Sequence, residues 1–196
     1  MSNLKSQNRP TDHSGHARPG KKALFITCTD ANFSPTRLTG IAPERLFELR
    51  NMGNIVPKSG TAAISSETAA IQYVLSESSL RDVILCGHSR CVAVSCLLSR
   101  HNAPVPPAVK RWLSIGRSRV ACEDAMGKVP VGPLSQAAWD TASRAHLAVQ
   151  LAHLLEYAEL ARRHADGELR VHGWFFNSRG RVETLPVPTA HLTPTA

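Results

Sequence analysis

The stretch DVILCGHSRC, residues 82–91, decides how this chain is read. A run of branched apolar residues, Val83 to Leu85, stops at Gly87, and His88 and Cys91 follow three positions apart. A continuous apolar run of this length marks a strand covered on both faces. Imidazole and thiolate both bind transition metals, so a buried strand ending in that pair raises the question of a third ligand. ALFITCTDAN, residues 23–32, has the same form: an apolar strand, then Cys28, then Asp30. In open α/β sheets ligands gather beyond the carboxyl ends of the strands. If the two strands run parallel, Cys28 and His88 emerge at one edge, with Cys91 one helical turn beyond His88. Two thiolates and an imidazole around an ion with an open fourth position form a common catalytic zinc arrangement.

Outward from these two strands the pattern alternates. ELRVHGWFFN (168–177) reads as a third strand, and VETL (182–185) has strand character. SSETAAIQYVLSES (65–78) reads as a helix opened by Ser65 and Thr68 in capping spacing. VAVSCLLSR (92–100) is a helix with Cys96 on its apolar side, and PAVKRWLSIGRSRVACEDA (107–125) is another that Gly116 can break. Residues 135–167 form one long helix or two, ending at Gly167. APERLFELRNMGNIV (42–56) begins helix-like and ends in NIV, a candidate strand. Strands interleaved with helices predict an α/β fold with a mainly parallel central sheet flanked by helices.

The chain has 196 residues, 42% hydrophobic and 19% charged, which suits one soluble core. Residues 1–20 are polar and aperiodic and are expected to be a disordered tail, with the domain at 21–190 and a flexible end at 191–196. No apolar run approaches the length that spans a bilayer, and the N-terminus has no secretory apolar core, so a cytoplasmic location is expected. In that compartment Cys86, Cys96 and Cys122 read as small apolar thiols. The net charge is +8, of which the first 22 residues carry +4. With few aromatics near the remaining basic residues, no nucleic-acid partner is expected.

Together these motifs resemble the β-class carbonic anhydrases. Where that family carries Cys-x-Asp-Ser-Arg after its first strand, this chain has Cys28-Thr29-Asp30-Ala31-Asn32. Pro35, LTG at 38–40 and RLFELRNMGN at 45–54 follow in the family's order. Cys86-Gly87-His88-Ser89-Arg90-Cys91 matches its Cys-Gly-His-x-x-Cys, and GELRVHGWFF (167–176) its late Leu-x-Val-His-Gly-Trp segment. The likeness runs from about Ala23 to about Leu185.

The resemblance implies a β-carbonic-anhydrase-like fold with zinc on Cys28, His88 and Cys91. It implies reversible hydration of carbon dioxide to bicarbonate by hydroxide generated at that zinc. Asp30 would orient the nucleophile by accepting a hydrogen bond from it. The family restrains this aspartate with an arginine two residues on, through a charge-assisted contact. Here Asn32 stands there, neutral and a weaker partner, which leaves Arg37, Arg50 or a residue of another subunit as substitutes. Val92 and Ala93 replace the family's Gly-Gly after the second cysteine, so with Gly87 they are expected to wall the substrate pocket. These departures imply reduced or atypical activity. Three readings stand open: a slow carbonic anhydrase, a hydrolase of carbonyl sulfide or carbon disulfide, and a catalytically silent zinc scaffold.

Family members pair through extensive interfaces, so a homodimer or larger even-numbered homo-oligomer is expected, with VAVSCLL and HLAVQLAHLLEY as candidate apolar faces. His146, His153 and His164 read as surface or interface groups and His172 as a hydrogen-bonded structural histidine. Trp139 and Trp174 read as core or interface residues.

Overall fold

The computed structural model describes residues 20–60, 64–99, 104–127 and 134–188. The expected tail, apart from Gly20, and the expected flexible end at 191–196 lie outside the described residues. Five strands form one sheet in the order β2-β1-β3-β4-β5. They are β1 (Ala23–Cys28), β2 (Leu46–Asn51), β3 (Asp82–His88), β4 (Arg170–Phe176) and β5 (Val182–Leu185). The first four run parallel, and β5 turns back antiparallel to β4. All of β1, and β3 from Val83 onward, is buried, as the unbroken apolar runs require.

Residues 43–51 of the 42–56 stretch behave differently from their helix-like spacing. Pro43–Arg45 makes a single turn, and Leu46–Asn51 extends as β2, in register from Ala23↔Leu46 to Cys28↔Asn51. Leu46, Phe47 and Leu49 suit either period, and the unpaired backbone edge of β1 decides between them, since a buried strand must satisfy its N–H and C=O groups.

Helices α2 (Ser66–Leu75), α6 (Gln136–Leu155) and α7 (Ala158–Ala165) cover one face of the sheet, over Leu24, Ile26, Val83 and Leu85. The other face carries Phe25, Ile84 and Cys86, packed by the short helix α1 (Pro35–Thr39) and by Phe33, Trp174 and Phe176. Phe25 meets Phe33 and Trp174 edge-on, at centroid distances of 6.2 and 6.1 Å. Helices α3 (Val92–Leu97), α4 (Pro107–Ile115) and α5 (Arg119–Met126) build a second core around the carboxyl ends of the strands. Gly116 separates α4 from α5; a Cβ there would come within 3.2 Å of Ile55 and 3.3 Å of the Gln150 amide. Tyr157 separates α6 from α7.

One stripe of α6 is polar and buried, contrary to a surface or interface role for its histidines. His146, Gln150 and His153, with Tyr157 just beyond, lie one or two turns apart and face the 53–57 segment. His146 Nε2–H donates to Gly53 O (2.6 Å) and His153 Nδ1–H to Val56 O (2.9 Å). Gln150 accepts from Val56 N–H (3.0 Å) and donates to Gly116 O (2.8 Å), and the Tyr157 hydroxyl donates to Pro57 O (2.9 Å). Asn51 clamps Ile55 from both sides, accepting at 2.7 Å and donating at 2.9 Å. A buried, non-sheet segment thus has its backbone groups satisfied by side chains. That is why NIV does not pair as a strand. His164 is half-buried and donates to Leu169 O (2.9 Å). His172 donates to Asp82 at 2.9 Å, at the far end of the sheet from His88.

The two candidate apolar faces are spent inside the chain. Ala93, Val94, Leu97 and Leu98 are buried in the second core, and Leu147, Leu151, Leu154 and Leu155 in the first. Gln150→Leu removes partners from both Val56 N–H and Gly116 C=O, at roughly 1–3 kcal/mol for each orphaned group. A fall in Tm of at least about 4 °C is expected by circular dichroism, and a fall below about 1 °C contradicts the role given to this stripe.

Candidate metal centre

Parallel pairing brings the ends of β1 and β3 to the same edge, so Cys28 and His88 leave the sheet side by side. Cys91 is the residue before the first turn of α3. The ligand atoms of Cys28, His88 and Cys91 all lie within 4.8 Å of one another, and all three residues are buried. The two sulfurs are 3.8 Å apart. His88 Nδ1–H donates to Ser89 O (2.9 Å), and because a carbonyl only accepts, this fixes the tautomer and leaves the Nε2 lone pair free. Nε2 is buried and has no hydrogen-bond partner. An orphaned acceptor beside two close sulfurs fits a thiophilic cation, and an S,S,N set with one open place fits zinc.

The electrostatics agree. The hydrogen bond from the Cys91 thiol draws Cys28 down to about 4, against the upward push of burial. His88 and the amides of Asp30 (3.4 Å) and Gly53 (3.2 Å) add to that pull. Cys91 is driven well above its ordinary range by the same contact and by burial. Burial pulls His88 down, but the neighbouring Cys28 sulfur outweighs it and raises the imidazole, although the two are not in hydrogen-bond geometry. Without a cation the two sulfurs therefore share one proton.

A cleft of about 560 Å³ reaches the site at His88, with Asp30, Asn32, Phe33, Val92 and Phe176 among its other walls. Asp30 Oδ2 accepts from Val92 N–H at the start of α3 (2.9 Å). Of the three residues expected to wall the substrate pocket, Val92 lines this cleft. Ala93 is turned inward, 1% exposed, where a Cβ on Gly53 would come within 3.1 Å of it. Gly87 sits in the sheet interior, where a Cβ would meet Leu147 at 3.3 Å and Phe175 at 3.6 Å. Both positions face the core because of the strand and helix phases on either side of the turn.

Residues 23–182 match the family model described as carbonic anhydrase. The chain belongs to the carbonic anhydrase family. It is 33% identical over 169 residues to the carbonic anhydrase of Pseudomonas aeruginosa, covering 86% of this chain and 74% of that one. It is 29% identical over 176 residues to carbonic anhydrase 1 of Escherichia coli O157:H7, covering 89% and 78%. Among solved structures, the β-carbonic anhydrase CcaA superposes with a TM-score of 0.73 at 30% identity, covering 85% and 80%. A tetrameric β-carbonic anhydrase of Sordaria macrospora shares the fold, with a TM-score of 0.71 at 23% identity over 85% and 81%. The β class follows, and with it an enzyme family that uses zinc.

Within this β-carbonic anhydrase frame, none of the three candidates for the missing arginine makes a hydrogen bond or ion pair to the Asp30 carboxylate among the described residues. Asn32 lines the cleft but makes no hydrogen bond to Asp30 among the described residues. Arg37 is exposed on α1. Arg50 spends its guanidinium on backbone carbonyls: Cys28 (3.3 Å), Ala31 (3.2 Å) and Phe33 (2.8 Å). It fixes the loop that carries Asp30 rather than the carboxylate itself.

Sequence reading passed over Asp140 and Gln136 and gave Trp139 no link to the ligands. Ser89 Oγ–H donates to Asp140 Oδ2 (3.0 Å), Gln136 donates to Asp140 Oδ1 (2.7 Å), and Arg90 Nε donates to Gln136. Trp139 Nε1–H holds Cys91 O at 3.1 Å. A carboxylate among the small apolar residues of early α6 was the available signal.

Zinc must displace the Cys91 proton, so loading metal-free protein near neutral pH is expected to release at least about one proton, and affinity to fall as pH drops. Calorimetry in buffers of different ionisation enthalpy measures this, and binding without proton release contradicts the shared-proton description. Cys28→Ser is expected to abolish stoichiometric zinc by elemental analysis.

Proposed function

We propose that this chain catalyses the zinc-dependent, reversible hydration of carbon dioxide to bicarbonate, more slowly than relatives with an arginine at the Asn32 position. The observation that carries this reading is the convergence of Cys28, His88 and Cys91, with an unpartnered His88 Nε2, at a cleft lined by His88 and Asp30. Bound there, zinc supplies an acidified water able to act as a nucleophile near neutral pH. Cys28 and Cys91 hold the ion and neutralise its formal charge, which leaves more of the activation to neighbouring groups.

Asp30 is the acceptor placed to orient the nucleophile. Val92 N–H holds one of its oxygens, and Arg50 stiffens the loop beneath it. Phe33, Val92 and Phe176 give the cleft apolar walls suited to a small linear apolar molecule. Asn32 offers no charge to keep the carboxylate off the metal, and this is the physical reason for a lowered rate.

The apolar side chain of Val92 in that wall also suits carbonyl sulfide or carbon disulfide. Sulfide release from carbonyl sulfide without comparable hydration favours this second reading. Activity in neither assay, with zinc bound, favours the silent scaffold. The protein is proposed to work in a reducing compartment, consistent with five free cysteines, and to assemble as a homodimer or larger even-numbered oligomer. Among the described residues, no helix is long and apolar enough to cross a membrane.

Stopped-flow hydration above about pH 8 tests the proposal, with activity expected in the parent and none in Cys28→Ser. Asn32→Arg is expected to raise the rate by about tenfold, equivalent to about 1.4 kcal/mol. An unchanged rate with unchanged zinc content contradicts the account of Asp30.

A further inference from the structure

The buried polar stripe of α6 reaches the metal centre at one point. Ser118 precedes α5, is fully buried, and its hydroxyl lies 2.6 Å from His146 Nδ1. On its other side, His146 Nε2 lies 2.6 Å from Gly53 O. The carbonyl can only accept, so Nε2 carries the proton, Nδ1 is the acceptor and Ser118 is the donor. Burial holds this imidazole below its ordinary pKa, and the neutral form is the one the two bonds require. Gly53, at φ +84°, turns the chain so that its own N–H points at Cys28 Sγ, 3.2 Å away. A side chain at this position would meet Ala93 at 3.1 Å, so the turn has no slack in that direction. Three bonds in series therefore run from Ser118 through His146 and Gly53 to a metal-binding sulfur, all in the protein interior.

We propose that Ser118 and His146 are positioning residues for the metal centre, holding the Gly53 amide on Cys28 so as to set that sulfur's donor strength. An N–H donated to a thiolate draws electron density from sulfur, weakens its donation to the metal, and leaves the ion a stronger Lewis acid. In a site whose charge is already neutralised by two thiolates, this bond works against the loss of acidity. His153 and Tyr157 hold the same segment farther along, through Val56 and Pro57, with no such link to a ligand. The inference rests on the zinc reading of the site and is independent of the substrate.

The test uses the full chain loaded with cobalt(II), whose sulfur-to-metal charge-transfer band reports donor strength, together with zinc affinity by chelator competition. His146→Leu is expected to shift the band to lower energy, because the sulfur regains electron density, and to weaken zinc binding by about tenfold or more, because Cys28 is no longer held in the direction the ion needs. His146→Gln, which keeps an N–H for Gly53 O, restores most of both. His153→Leu loses a comparable buried bond and is expected to lower Tm while leaving the band in place. An unshifted band and unchanged affinity in folded His146→Leu overturns the inference, as does an equal shift in His153→Leu. Should His146→Leu fail to fold, Ser118→Ala decides: a shift in the same direction supports the relay, and no shift overturns it. Failure of the zinc reading itself shows separately, as a parent protein that binds neither cobalt nor zinc.

Discussion

Two cysteine sulfurs 3.8 Å apart in a buried site cannot both be thiolates unless a cation lies between them, and much of this structure serves that constraint. Parallel pairing of β1 with β3 sets Cys28 and His88 at one edge, and the tight turn after β3 returns Cys91 to the same place. The Ser89 carbonyl orients the imidazole, the Trp139 indole pins the Cys91 carbonyl, and the Gly53 amide meets the Cys28 sulfur. Each contact fixes a ligand's direction rather than adding a new ligand. Loss of such an outer partner typically costs about ten- to a hundredfold in metal affinity.

The departures around Asp30 are changes in how one carboxylate is restrained. A charged partner at position 32 would grip it from the cleft side. In this chain the restraint comes from the main chain instead: Val92 N–H on one oxygen, and Arg50 bracing the loop through three carbonyls. A neutral amide donor is weaker than a guanidinium, so on the proposed reading the carboxylate would have less to oppose its approach to a bound metal. The side chain of Val92 meanwhile narrows the cleft where a glycine would leave it open.

How legible each part was in the sequence follows from how local its cause is. β1 and β3 are unbroken apolar runs because both faces are covered, and the ligands are readable because they stand at the ends of those runs. β2 is an edge strand with mixed exposure, and its apolar spacing fits a helix equally well; only its pairing with β1 selects the strand. His146 and His153 look like surface residues because helical periodicity marks a face without saying what lies against it. Their partners are backbone atoms more than ninety positions away, which carry no side-chain signature. Arg50 and Asp140 were obscure for the same reason. Their roles rest on carbonyls and on a serine brought near by the fold.

X-ray absorption at the zinc edge of purified protein, with metal content measured on the same sample, tests the central claim most directly. The account predicts about one zinc per chain, with two sulfurs near ~2.3 Å and one imidazole nitrogen near ~2.0–2.1 Å. Protein without stoichiometric zinc, or a shell of nitrogen and oxygen alone, would contradict it.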